Sequence, residues 1–335
     1  MRVTTPETRS TTLHPPVSGS TSPAARLVVL LVAVAGVLGL VMGSGAASAA
    51  PARVVFTQSF IDGCGMPPVK VRMWVKAGNY KTVIALDGLR ATNDVSGWEH
   101  NTRIQDMANS GVNVVEPVGG LASFYSDWNA PSNFNNQPYR YRWSCAINQR
   151  LIPFLDSKRL AVGPAGKYAI MGISMGGNSA MIIGANNPRI SHMFSMSGYL
   201  NLSAPGMREA IRIALLDAGI QAGVGPFNSD SMWGPPTSVR WLDNDPFVQI
   251  GKMRGKKVRV ASGSGIPGPY PTDPLGFIQG APLEALSLAQ SRAFQVQALV
   301  NNVQITSDFP AVGLHAWGYW RDMVWRAKDQ GWFRD

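Results

Sequence analysis

Tyr168-Ala169-Ile170-Met171-Gly172-Ile173-Ser174-Met175-Gly176-Gly177 is the stretch on which the reading of this 335-residue chain turns. Six residues up to Ile173 form a short buried strand. Met175 to Asn186 has helical character and must stop before Pro188. Between them lies G-x-S-x-G, Gly172 to Gly176. A serine at the tip of a tight strand-to-helix turn has its hydroxyl exposed, and the small flanking residues avoid clashes in that strained turn. The helix N-terminus beneath it favours developing negative charge. Gly and Ser are common, so the five residues alone are a weak signal. The strand before and the helix after make Ser174 a candidate nucleophile.

Working outward, apolar runs alternate with helical stretches on both sides of this turn. Val69 to Val75, Thr82 to Leu86 and Val112 to Pro117 read as early strands, with a helical stretch from about Asn101 to Ser110. Arg150 to Leu155 reads as helical. Met193 to Ser197, Val258 to Ser262 and Val303 to Ser307 read as later strands. Pro282 to Leu299 and Trp317 to Lys328 read as helices. Such alternation predicts an α/β protein with a mainly parallel central sheet and helices on both faces. Together with the nucleophile turn it predicts the α/β-hydrolase fold, in one domain over residues 50–335.

A serine needs a base. The chain has four histidines. His14 and His100 precede the serine, whereas this fold places nucleophile, acid and histidine in that order. His192 follows Ser174 too closely to leave room for an acid loop. His315 lies after the last expected strand and is the remaining candidate. The acid, which would orient the imidazole and stabilise the imidazolium, could be Asp243, Asp245, Asp273, Glu284 or Asp308. Asp308 is close enough in sequence to belong to the histidine's own loop. Asp273 and Glu284 both follow the strand at 258–262, and physical reasoning leaves them level. For the oxyanion hole, one N–H is expected from Met175. The other is expected from Leu89, after the strand ending at Leu86.

Hydrophobic content of 45% against 15% charged fills a sizeable core and excludes a disordered chain. The N-terminus reads as a secretory signal over residues 1–49. Arg2, Arg9 and Arg26 precede an apolar run from Leu27 to Met42, and Ala47-Ser48-Ala49 offers a cleavage site. That run is short for a membrane span. The net charge is +10. Three Arg and one Glu in the leader account for +2, so the mature chain keeps +8, suited to anionic envelope polymers. No cluster of Lys and Arg interleaved with aromatics suggests nucleic acid. Cys64 and Cys145 are the two cysteines, and export would permit a disulfide between them. No Cys or His pair has metal-ligand spacing, so neither a metal nor another cofactor is expected.

The residues also carry a resemblance. Leu86-Asp87-Gly88-Leu89-Arg90-Ala91 with Gly97-Trp98 and Asn101-Thr102, Pro117 to Gly120 with Ser123-Phe124-Tyr125, and the nucleophile turn itself follow one another in a familiar order. Ser197-Gly198, Ser231 to Pro235, Asn244-Asp245-Pro246, Leu283-Glu284 and His315-Ala316-Trp317 continue it. Over nearly all of the mature part the chain resembles the secreted mycoloyltransferases of the antigen 85 family, in a corynebacterial-type form. The resemblance implies that Glu284, in a Leu-Glu pair at a helix start, is the acid. It implies that Leu89 and Met175 form the oxyanion hole. It implies that Asp87, Arg90, Asn101, Ser197 and Trp317 bind sugar.

The activity so implied is an exported acyltransferase. It moves mycoloyl groups from trehalose monomycolate to a second trehalose monomycolate or to arabinogalactan through a mycoloyl-serine. The enzyme is expected to be monomeric, associated with the cell envelope and independent of cofactors. A secreted carboxylesterase of the same fold and a non-catalytic wall-binding protein are the alternatives. Two departures stand out. Gly176-Gly177-Asn178 replaces the Ser or Ala common beside the first glycine, and residues 204–226 match the mycobacterial relatives poorly, which bears on the acyl chain accepted.

Overall fold

The computed structural model describes residues 52–270 and 273–335; the expected leader lies outside the described residues. Eight strands form one sheet: β1 (Val55–Gly63), β2 (Met66–Val75), β3 (Lys81–Leu86), β4 (Val112–Val118), β5 (Tyr168–Ile173), β6 (Ile190–Met196), β7 (Lys257–Ala261) and β8 (Ile305–Asp308). Their order is β1-β2-β4-β3-β5-β6-β7-β8. β2 runs antiparallel to β1 and β4, and every pairing from β4 to β8 is parallel. This is the α/β-hydrolase arrangement.

The helices lie between and after the strands. α1 (Gly97–Thr102) follows β3 and leads into a tighter turn at Ile104–Ser110. α2 (Trp143–Cys145) and α3 (Ile152–Ser157) are joined through Ala146–Leu151. α4 (Met175–Asn186) follows β5. An excursion after β6 holds α5 (Met207–Gln221), α6 (Ser229–Trp233), α7 (Arg240–Asp243) and α8 (Pro246–Gln249). α9 (Pro274–Val300) and α10 (Trp317–Asp329) close the chain. Among the described residues no helix is long and apolar enough to cross a membrane.

The central strands are buried on both faces, as a covered parallel sheet requires. Their side chains therefore divide by parity between two cores. Ile84, Leu86, Ile170, Met193, Val258 and Val260 join one core with Met181 and Ile183 of α4 and Phe294 and Ala298 of α9. Val83, Ala85, Ala169, Met171, Phe194 and Met196 join the other with Trp98 of α1 and Met323 and Val324 of α10. Trp98 is fully buried, and its indole N–H donates to the Leu86 carbonyl at 2.9 Å, so no donor is stranded. Burying such a ring contributes on the order of 3 kcal/mol.

Among the elements that differ from the sequence reading are β1, α9 and α5. β1 was not expected, because it is an edge strand: of its side chains only Ile61 reaches the core, and Phe56 and Phe60 are exposed, so no in-and-out alternation marks it. α9 begins at Pro274 rather than Pro282. The Asp273 carboxylate caps its first turn by accepting from the Gly276 N–H at 2.6 Å, which offsets the glycines and the internal Pro282 that argue against helix there. α5 was not read at all, although Met207, Ile211, Leu215 and Ala218 bury one stripe of it. Cys64, in the β1–β2 turn, and Cys145, in α2, are joined by a disulfide.

Candidate active site

The C-terminal ends of β3, β5, β6 and β7 face one edge of the sheet, where ligand sites of open α/β sheets form. Ser174 immediately follows β5 with φ 51° and ψ −120°, a conformation that L residues rarely adopt. Its N–H donates to the Met196 carbonyl of β6 at 2.9 Å, and its own carbonyl accepts from Gly177 and Asn178. The strained residue is thus tied to the next strand and to the helix it starts. A side chain at Gly172 would lie 2.2 Å from the Gly176 carbonyl oxygen, so only glycine lets the turn close. A Cβ on Gly177 would lie 2.7 Å from Ser195 Oγ and 3.1 Å from the Gly198 backbone. That contact accounts for the second glycine.

The loop after β3 lies against this turn. A Cβ on Gly176 would lie 2.3 Å from the Asp87 carbonyl oxygen, and one on Gly88 would lie 3.9 Å from the Ser174 Cβ. Leu89 comes next, its carbonyl taken by the Ala122 N–H at 2.9 Å. Among the described residues neither the Leu89 nor the Met175 N–H donates a backbone hydrogen bond. Two N–H groups, one at the start of α4 and one beside it, are thus left to stabilise negative charge at a carbonyl on Ser174.

His315 lies in the loop between β8 and α10, its N–H donating to the Gly280 carbonyl at 3.2 Å. Its Nδ1 meets Glu284 Oε2 at 2.8 Å. Glu284 projects from inside α9, not from its start, and is completely buried. Its other oxygen, Oε1, accepts from Ser197 Oγ at 2.7 Å, Ser262 Oγ at 3.1 Å and the Gly263 N–H at 2.5 Å. The Trp320 indole N–H donates to Ser197 Oγ at 2.9 Å and the Trp320 ring stands edge-on to His315. A buried carboxylate held by three donors and facing an imidazole can fix the ring's orientation and stabilise its protonated form. No hydrogen bond joins Ser174 Oγ to His315 among the described residues. Such bonds often tighten only as substrate seats.

Three of the rival acids are engaged elsewhere, and Asp243 is exposed on α7. Asp308 pairs with Arg259 and Arg326. Asp245 accepts from the Ser203 N–H and Oγ at 2.7 and 2.6 Å and caps α8, and Asp273 caps α9. His192 is buried between Ser191 and the Arg334 carbonyl, at the opposite end of β6 from Ser174.

Of the residues assigned to sugar binding, Asp87, Asn101 and Trp317 meet around Gly97. Ser197 is 0% exposed, and its oxygen pairs with Glu284 and Trp320, so it supports Glu284. Asp87 faces its own loop. It is buried and accepts from Gly97 N–H at 2.8 Å, Ser96 Oγ at 3.1 Å and Gly88 N–H at 3.3 Å, closing the loop around itself. Burial raises its pKa and these three donors oppose the rise. Asn101 is exposed on α1, its amide donating to the Gly97 carbonyl at 3.0 Å. Trp317 is half-buried and packs edge-on to Trp98 and Trp320 beside that helix. Arg90 turns toward α5, where it donates to Asp217 at 2.7 Å and Gln221 at 2.8 Å. Ser262, Gly263 and the supporting role of Ser197 were not read from the sequence. A serine-glycine pair at the end of a late strand is the only local trace of them.

The family model described as "Putative esterase" matches residues 67–329. The chain is 36% identical over 265 residues to a protein of Mycobacterium avium named diacylglycerol acyltransferase/mycolyltransferase Ag85C, covering 77% of this chain and 72% of that one. It is 36% identical over 262 residues to the Ag85B mycolyltransferase of Mycolicibacterium smegmatis, covering 75% and 76%. The crystal structure of Mycobacterium tuberculosis MPT51 (FbpC1) aligns at a TM-score of 0.67 and 26% identity, over 83% of this chain and 98% of that one. A fluorophosphonate-binding serine hydrolase of Staphylococcus aureus shares the fold, at a TM-score of 0.55 and 15% identity over 85% and 99% of the two chains.

Proposed function

The chain belongs to the esterase family and, within it, to the Ag85 mycolyltransferases, and from that premise we propose that it is an exported acyltransferase that moves mycoloyl groups between trehalose mycolates through an acyl-serine. The observation that carries this reading is the buried Glu284 carboxylate 2.8 Å from His315 Nδ1, beside a strained serine at the head of α4. Ser174, Glu284 and His315 are the proposed triad.

His315 Nε2 takes the proton of Ser174 Oγ as that oxygen attacks the ester carbonyl of trehalose monomycolate. The Leu89 and Met175 N–H groups hold the oxyanion. The carbon–oxygen bond to the sugar breaks, and His315 returns its proton to the leaving trehalose oxygen. A hydroxyl of a second trehalose monomycolate, or of arabinogalactan, is deprotonated by His315 and attacks the mycoloyl-serine. Trehalose dimycolate or an acylated wall polymer leaves and Ser174 regains its proton. No metal or organic cofactor enters these steps. Residues 1–49 serve as the signal peptide. The mature single domain, of net charge +8, acts as a monomer at the anionic envelope.

The test is acyl transfer from trehalose monomycolate by the purified mature chain beside Ser174→Ala, with products separated by lipid chromatography. Trehalose dimycolate is expected from the wild type, with free mycolate a minor product, and a loss of at least about 10³-fold is expected in the variant. Free mycolate alone would make the protein an esterase, and turnover that survives Ser174→Ala would remove the serine from the mechanism.

A further inference from the structure

Tyr199 stands three residues beyond β6, with its backbone and its ring held and its hydroxyl end free of protein partners among the described residues. Its carbonyl accepts from Asn178 Nδ2 on the nucleophile helix at 2.9 Å. Two residues before it, Ser197 supports Glu284. Its ring lies nearly parallel to the His315 imidazole, at 26° with centroids 6.2 Å apart. The side chain is 8% exposed. Yet the phenol hydroxyl makes no hydrogen bond among the described residues, whereas the buried Tyr125 hydroxyl donates to the Gly119 carbonyl and accepts from the Asp87 N–H.

The ring alone could be phenylalanine. The hydroxyl oxygen is not among the fully buried side-chain atoms left unpaired, so it opens to solvent beside His315, where water or a ligand hydroxyl pairs with it. Burial first, and the Glu284 charge second, push the phenol's pKa up, with Arg90 pulling the other way. The group therefore stays protonated, and offers one donor and two acceptor sites. A sugar presents the matching pattern: neighbouring hydroxyls that each donate and accept.

We propose that Tyr199 is an acceptor-binding residue: from a ring stacked on His315, its hydroxyl pairs with a sugar hydroxyl next to the one that His315 deprotonates. This rests on the transfer reaction proposed above and specifies what holds its second substrate. The consequence is selectivity. Water attacking the acyl-serine has no neighbouring hydroxyl to orient and gains nothing from Tyr199. A polyol is fixed with its reacting oxygen beside His315, and such orientation raises its effective concentration far above that of a free solute. A site built to pair a hydroxyl also penalises any acceptor that lacks one.

The experiment is Tyr199→Phe, which keeps the ring against His315 and removes only the hydroxyl. Acyl transfer from a p-nitrophenyl acyl ester to trehalose is measured beside hydrolysis of the same ester without sugar. Transfer is expected to fall about tenfold or more in kcat/KM for trehalose, chiefly through KM, while hydrolysis stays within about twofold of wild type. The ratio of hydrolysis to transfer therefore rises. Unchanged transfer would overturn the proposal. An equal fall in both reactions would also overturn it, since Tyr199 would then act only through His315. Wild-type enzyme that hydrolyses the ester but transfers to no sugar would defeat the proposed function itself, an outcome read before the variant is made.

Discussion

Ser174 and His192 show how a single side chain takes its role from its surroundings. Ser174 holds a backbone conformation that costs on the order of 1–3 kcal/mol. Hydrogen bonds to β6 and α4 and the two flanking glycines hold it there. His192 has the opposite fate. Burial, and then Lys81, push its pKa down to about 4 from the usual 6.5. As the pH falls below 6.5 the unfolded chain binds a proton that the folded chain refuses. The stability is therefore complete above that value and is lost as the pH falls toward about 4. The effect is on the order of 3 kcal/mol. We expect the urea midpoint to drop between pH 7 and 4.5, and His192→Phe, which can keep the edge-on contact with Trp332, to flatten that dependence. An equally steep profile in the variant would place the acid sensitivity elsewhere.

At the scale of elements, the site depends on one close approach. The head of α4 meets the end of β3 with no room for a methyl group at Gly176, where a Cβ would lie 2.3 Å from the Asp87 carbonyl oxygen and 2.9 Å from that of Leu86. Gly176→Ala must push the Leu86–Leu89 loop away from Ser174, and the Leu89 N–H moves with it. Losing one oxyanion donor costs about 10²–10³-fold in turnover. We expect a fall of that order in ester hydrolysis, with far-ultraviolet circular dichroism unchanged; full activity would show that the Leu86–Asp87 backbone can give way. The clasp of Arg90 on Asp217 and Gln221 is looser. Both charged side chains of its ion pair are 46% exposed, so that pair contributes less than about 1 kcal/mol. It ties the loop after β3 to α5, and leaves Arg90 able to exchange Asp217 for a ligand.

Across the whole molecule, the Cys64–Cys145 disulfide joins the β1–β2 edge hairpin to α2 over 81 residues of sequence. β1 buries little, so at this edge a covalent tie does what packing does not. Closing a loop of that length stabilises the fold by about 4 kcal/mol in the chain-entropy account. We expect reduction, or Cys64→Ser with Cys145→Ser, to lower the unfolding free energy by about 2–5 kcal/mol, read from urea unfolding with and without reductant. An unshifted transition would make the bridge dispensable. By itself the sequence determined the strand, turn and helix from Tyr168 to Asn186 and the alternation that makes a mainly parallel sheet, and it singled out His315 by elimination as the candidate base. These are local patterns, or follow from chain order. It could not decide between Asp273 and Glu284 on physical grounds; the family resemblance pointed to Glu284, and the meeting with His315 across 31 residues is a fact of the tertiary structure. Nor could it reveal that Ser197 faces Glu284 across 87 residues, that Asp87 turns inward, or that Tyr199 lies against His315. Those contacts are made between the ends of neighbouring strands and the loops that return to them. Which ends are neighbours is set by sheet order and by the packing of α9 and α10, and no local run of residues encodes that.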